Sequence, residues 1–249
     1  MAKKAKASNQ ILWHQAFQRM EPFVVKITTP SASGTGFIVA LSPNKGLVGI
    51  ATAAHVIDYP HYWEQPIRIE HFKSGKTIFL NPADRFIETN AAKDTASIVV
   101  KRGDFPVGQV LPTISETKHL KVGVSVGWVG FPAIAPSNLC FFSGSISSWD
   151  QDNGFYFVDG VAINGVSGGP AFSINNTDNE VQVIGVVSAY VPNRATGIAL
   201  PGLCVIRDVA PLQTMIKGLK NLEEAKKQEK TPETPPPAPS PASSEPTRG

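Results

Sequence analysis

The residues of this chain best placed to do chemistry gather around one serine. Asn164-Gly165-Val166-Ser167-Gly168-Gly169-Pro170 sets a hydroxyl in a glycine-rich turn between apolar runs. Glycine lets a backbone bend sharply and lets a second backbone approach closely. Such a turn serves either as a plain tight connection or as the seat of a nucleophile. In the second case the N–H groups of Gly165 and Ser167 would point together as an oxyanion hole. A serine hydroxyl is a weak nucleophile until a base takes its proton. Ile50-Ala51-Thr52-Ala53-Ala54-His55-Val56 offers such a base, with His55 closing a run of small and apolar residues. His14, His61, His71 and His119 lie in a leading helix, around an aromatic-rich loop and in a charged turn. None of them stands at metal-ligand spacing from a second His or Cys, so no metal is expected.

An imidazole base needs a carboxylate to hold its tautomer and to stabilise its cation. Asp94, in Lys93-Asp94-Thr95-Ala96-Ser97-Ile98-Val99-Val100, directly precedes an apolar strand, whereas Asp58, Asp84 and Asp104 sit in polar turns. Taken singly, each residue has an ordinary reading: a tight turn, a structural histidine, a turn aspartate. All three ordinary readings must hold together, in the order His55…Asp94…Ser167, for an acyl-transfer site to be absent.

The elements that would position these residues are mostly strands. Short apolar runs (23–28, 36–41, 47–52, 97–100 and 181–188) alternate with turns rich in Gly, Pro, Asn and Ser. No long helical period intervenes, which argues for an all-β barrel or sandwich rather than βαβ units. Ahead of them, Asn9 could cap a short helix carrying Ile11, Leu12, Ala16 and Met20. Behind them, Asp208 could cap a charged helix through Leu212, Ile216 and Leu219 to about Lys230. The expected organisation is a basic disordered leader (1–10), one folded domain (11–230) and a disordered tail (231–249). The tail holds seven prolines and no aromatic residue, a composition that a proline-binding partner could read.

Charge narrows the partner classes. The chain of 249 residues has a formal charge of +3. That surplus sits at the ends, because residues 11–216 hold 14 basic against 15 acidic side chains. A body so near neutrality has no excess of cations for a phosphate backbone, so no nucleic acid is expected. Residues 122–149 contain no charged side chain and are long enough to span a bilayer. Repeated Gly, Pro and Ser break the stretch, and 122–128 alternates with period two, so buried β-structure is expected rather than a membrane span. The opening residues lack the apolar core of a signal peptide, and a cytoplasmic location is expected.

Several motifs together resemble one family. The order His55…Asp94…Ser167, with Thr-Ala-Ala-His and Gly-x-Ser-Gly-Gly-Pro around its outer members, resembles the trypsin-like, chymotrypsin-fold serine proteases. The high-temperature-requirement/Deg type is the nearest branch. Gly34-Thr35-Gly36-Phe37-Ile38, the run from Val122-Gly123 to Gly130-Phe131-Pro132, Gly144-Ser145-Ile146-Ser147-Ser148 and 159–164 are similar to successive strands of that branch. So are Val183–Ser188 and Thr196-Gly197-Ile198-Ala199-Leu200-Pro201.

The resemblance implies two packed six-stranded antiparallel β-barrels, with a His55–Asp94–Ser167 triad in the cleft between them. It implies a polypeptide substrate and no cofactor. Ser188, Ala189 and Tyr190 would pair with the substrate as an added strand, while Val161, Thr196, Gly197 and Ile198 would line the primary pocket. With no acid among them, a small or medium apolar side chain is expected there.

Three departures refine the expectation. Val166 replaces the acidic or amide residue usual before the serine, so an ion pair to a newly cut N-terminus is not expected. Cys140 and Cys204 are expected to be free thiols. The family's C-terminal PDZ domain is not expected, and oligomers are compatible with the family. Two other readings stay open: a catalytically silent protease fold acting as a binding module, and a regulatory protease that cuts one partner.

Overall fold

A computed structural model describes residues 11–44, 46–175, 177–193 and 200–229. The leader, Asn9 and the Pro-rich tail therefore lie outside the described residues, as do Thr196, Gly197 and Ile198.

Two β-units make up the body. The first is a sheet of β1 (Val24–Thr28), β2 (Ser33–Leu41), β3 (Leu47–Thr52), β4 (Ile67–His71), β5 (Thr77–Leu80), β6 (Phe86–Asn90) and β7 (Thr95–Lys101). Its antiparallel strands run in the order β5-β4-β1-β2-β3-β7-β6. This unit therefore carries seven strands, with β5 and β6 at its margins. The second unit is a closed six-stranded barrel in the order β10-β13-β12-β11-β8-β9. It comprises β8 (Ser125–Gly130), β9 (Cys140–Asp150), β10 (Phe155–Asp159), β11 (Pro170–Asn175), β12 (Glu180–Asn193) and β13 (Leu200–Arg207). All the apolar runs read from the sequence fall within these strands or one residue beyond them. The uncharged stretch 122–149 supplies β8 and β9, with Trp128 wholly buried. No helix among the described residues is long and apolar enough to cross a membrane.

Alternation along β2 explains how the units join. Side chains on a strand point to opposite faces in turn. Ile38 enters a core enclosed by the first sheet with Val25, Ile27, Ile50, Ile69 and Ile98. Phe37 and Val39 face the other way, into a larger core shared with Trp128, Tyr156 and Phe172 of the barrel.

The terminal helices seal that shared core. In α1 (Trp13–Met20), Ala16 and Met20 are wholly buried, and the Trp13 ring lies 5.7 Å from Phe141 and 6.1 Å from Phe172. Leu12 does not join the buried stripe. It precedes the helix as its N-cap residue and is 57% exposed, so helical spacing does not apply to it. The stripe is instead Trp13, Ala16, Phe17 and Met20, at the i, i+3, i+4, i+7 spacing of one helical face. In α3 (Ala210–Glu229), Leu212, Met215 and Leu219 are buried, and Asp208 Oδ1 accepts the Ala210 N–H at 3.1 Å. Cys140 and Cys204 are both free, and burial pushes the Cys204 thiol up to about 12.

Candidate active site

His55 does not sit on the strand whose end it follows. β3 stops at Thr52, and His55 occupies the first turn of a helix, α2 (Ala54–Tyr62). Val56 and Ile57 bury themselves in the first core and fix the helix, which leaves the imidazole side chain half exposed. Asp94 arrives from the other side, on the turn before β7. Its backbone is left-handed (φ 45°, ψ 47°), a region that Asp tolerates better than most residues. Both carboxylate oxygens lie 3.0 Å from His55 Nδ1, and the His55 backbone N–H donates to Oδ1 at 3.1 Å.

A further group completes the support of this carboxylate. Ser188 Oγ donates a hydrogen bond to Asp94 Oδ2 from a position almost sealed from solvent. Burial alone would raise the Asp94 carboxyl. The bonds from the His55 ring, the Ser188 hydroxyl and the His55 N–H outweigh it and hold the group below its ordinary value. On His55 the hydrogen bond to Asp94 dominates the opposing effect of burial. Together with the charges of Asp94 and Asp58, it raises the imidazole above 6.5.

Ser167 comes from the barrel. Its Oγ donates to the Ser188 carbonyl at 3.4 Å. His55, Asp94, Ser167 and Ser188 all line one cleft of about 410 Å³, together with Ala162, Ile163, Asn164, Val187, Ala189 and Tyr190. Val161 is exposed and is not part of that lining.

The loop carrying Ser167 is held by its backbone. Gly165 (φ +92°) and Gly168 (φ +85°) occupy the left-handed region. A Cβ on Gly165 would lie 2.3 Å from Phe131 O, and one on Gly168 would lie 2.0 Å from Thr35 O. Only glycine fits these positions. The Asn164 carbonyl accepts the Ala133 N–H at 2.6 Å, and the Val166 carbonyl accepts the Gly169 N–H at 3.0 Å. A trans peptide directs its N–H opposite to its C=O, so the Gly165 and Ser167 N–H groups turn away from those anchors. Among the described residues neither N–H meets an acceptor. Val166 is fully buried, so this position packs into the core.

Thr35 ties the loop to the first sheet. Its N–H donates to Ser167 O at 2.9 Å, and its Oγ1 donates to Gly165 O at 2.8 Å and accepts the Phe131 N–H at 3.0 Å. The sequence marks the Gly34–Ile38 motif without showing this part of Thr35, and it points to Ser188 as a substrate-pairing residue and not as a partner of Asp94. A hydroxyl within an apolar strand was the available signal in both cases, because a buried hydroxyl must find a partner.

These features define a two-unit, chymotrypsin-like all-β fold, and solved structures share it. An inactive form of Rv3671c from Mycobacterium tuberculosis H37Rv, crystallised as a serine-to-alanine mutant, is 19% identical with a TM-score of 0.57, over 86% of this chain and 95% of that one. A serine endoprotease from Yersinia pestis is 20% identical with a TM-score of 0.61, over 86% of this chain and 68% of that one. No family model matches the sequence, and no curated protein matches it. The likeness lies in the fold.

Proposed function

We propose that this protein is a serine endopeptidase of the trypsin-like kind, nearest in its motifs to the high-temperature-requirement/Deg type. The carrying observation is the imidazole of His55, held between the Asp94 carboxylate and an open cleft that Ser167 also lines. In the proposed reaction the Ser167 hydroxyl turns from the Ser188 carbonyl toward His55, gives up its proton and attacks a peptide carbonyl. Asp94 keeps Nδ1 protonated, so that the other ring nitrogen is the base, and it stabilises the imidazolium that forms. The Gly165 and Ser167 N–H groups receive the developing oxyanion. His55 then protonates the leaving amine, and water hydrolyses the acyl-enzyme.

Substrate binding follows from the edge of β12. This strand pairs with β11 only from Glu180 to Val186, and a register shift falls between Val187 and Ala189. The last β11 partner on β12 is Val186, so Ser188 and Ala189 lie beyond that pairing, and we place an extended peptide alongside them, running on past Tyr190. Thr196, Gly197 and Ile198 remain proposed pocket residues on sequence grounds, as does the preference for a small or medium apolar side chain.

A fluorophosphonate probe tests the reading. It should label Ser167 and spare Ser167→Ala. The direction of the Ser167 hydroxyl, toward Ser188 rather than His55, favours one alternative, a silent binding module. Absence of labelling together with tight binding of a folded partner would establish that module instead.

A further inference from the structure

We propose that the exposed aromatic face of α2, formed by Tyr59, Tyr62 and Trp63, is a subsite for the leaving-group side of a polypeptide substrate. It would take a large apolar or aromatic side chain two to four residues beyond the bond cut. The inference rests on the hydrolase reading above and names a specificity device within it.

Position comes first. His55, Tyr59 and Tyr62 stand at i, i+4 and i+7 on one face of α2, and Trp63, its C-cap residue, follows with its N–H donating back to the Tyr59 carbonyl at 3.0 Å. Val56, Ile57 and Pro60 fill the opposite, buried face. The aromatic stripe therefore begins at the imidazole and runs away from it. With a rise of about 1.5 Å per residue, Tyr59 lies about 6 Å and Trp63 about 12 Å along the axis from His55. In serine acyl transfer the base gives its proton to the leaving amine, so the chain after the cleaved bond departs over the imidazole. An extended chain advances about 3.3 Å per residue. Its second to fourth residues would then pass Tyr59 and Trp63.

The face is also built rather than incidental. Tyr59, Tyr62 and Trp63 are 55%, 78% and 60% exposed, yet their rings contact one another, Tyr59 to Trp63 at 6.3 Å and Tyr62 to Trp63 edge-on at 5.2 Å. Arg85 clamps the end of the helix. Its guanidinium donates to the carbonyls of Gln65 at 2.8 Å, Pro60 at 3.3 Å and His61 at 3.5 Å. A rigid aromatic surface loses little entropy on binding, which is the property of a recognition platform. An exposed cluster of large aromatics on the helix that carries His55 points to a bound partner, and continuity with His55 selects the substrate as that partner.

The test compares quenched-fluorescence peptides that share one acyl-side sequence and differ only two to four residues after the bond, tryptophan-rich against serine-rich. The native protein should prefer the tryptophan-rich peptide in kcat/KM by about tenfold. Tyr59→Ser with Trp63→Ser should bring that ratio close to one, and Trp63→Phe should largely preserve it. A native protein that cleaves both peptides equally overturns the subsite alone. One that cleaves neither and takes no fluorophosphonate overturns the hydrolase reading, and the subsite with it. The serine variants could instead keep the ratio while losing flotation with phosphatidylcholine–phosphatidylglycerol vesicles, or while turning a dimer into monomers. The face would then serve a lipid surface or a second copy, and the proposal would fall.

Discussion

At the scale of single residues, the His55–Asp94 pair makes two testable statements about pH. A neutral imidazole is the base in the proposed reaction, and Asp94 raises its pKa above 6.5. The acid limb of kcat/KM should therefore turn above pH 6.5, which a pH–rate profile with a short ester substrate will read. The pair also links folding to pH. The raised His55 contributes stability fully below about 6.5 and loses it as pH rises through the folded value. The lowered Asp94 contributes above its ordinary 3.8 and loses it as pH falls through the folded value. The stability lost in His55→Ala should peak between about pH 4 and 6.5. It should stay below about 1 kcal/mol, because the ring is half solvated. Urea titrations at pH 5 and pH 9 will measure the difference. Asp94→Asn is a clean probe of orientation, because Asn also tolerates left-handed backbone. It should lower kcat about 10³- to 10⁴-fold with the fold retained.

At the scale of elements, the loop between β10 and β11 shows how backbone geometry holds a candidate nucleophile. Gly168 combines a positive φ with a Cβ position 2.0 Å from a carbonyl oxygen. Gly168→Ala should cost about 3 kcal/mol or more, from left-handed strain plus displaced backbone, and a fall in the urea midpoint will show it. Here sequence and structure part company in an instructive way. The glycine-rich turn was legible because glycine at a bend is a local backbone requirement. The helix α2 was not, because Val56, Ile57, the tyrosines and an internal Pro60 carry little helical signal over nine residues, and Val56 and Ile57 are helical by virtue of the core they enter.

At the scale of the whole molecule, the two β-units meet through the shared core and through Thr35. One hydroxyl on β2 satisfies both the Gly165 carbonyl and the Phe131 N–H of the second unit. Thr35→Val keeps the shape and orphans both groups. It should cost about 2–4 kcal/mol and lower kcat with the Ser167 loop loosened. Calorimetry and single-turnover kinetics on the same preparation will separate the two effects.

The sequence by itself determined the all-β class, the apolar strands and the identity of His55, Asp94 and Ser167 as candidates. These follow from period-two burial, from glycine at sharp bends and from the few side chains able to share a proton. Only the tertiary structure decided that Asp94 brackets His55, that Ser188 braces Asp94, that Thr35 spans the units and that an aromatic stripe leads from the imidazole. Those relations join residues up to 130 positions apart. A contact at that separation is set by how strands pair and cores close, and local residue preferences do not encode it.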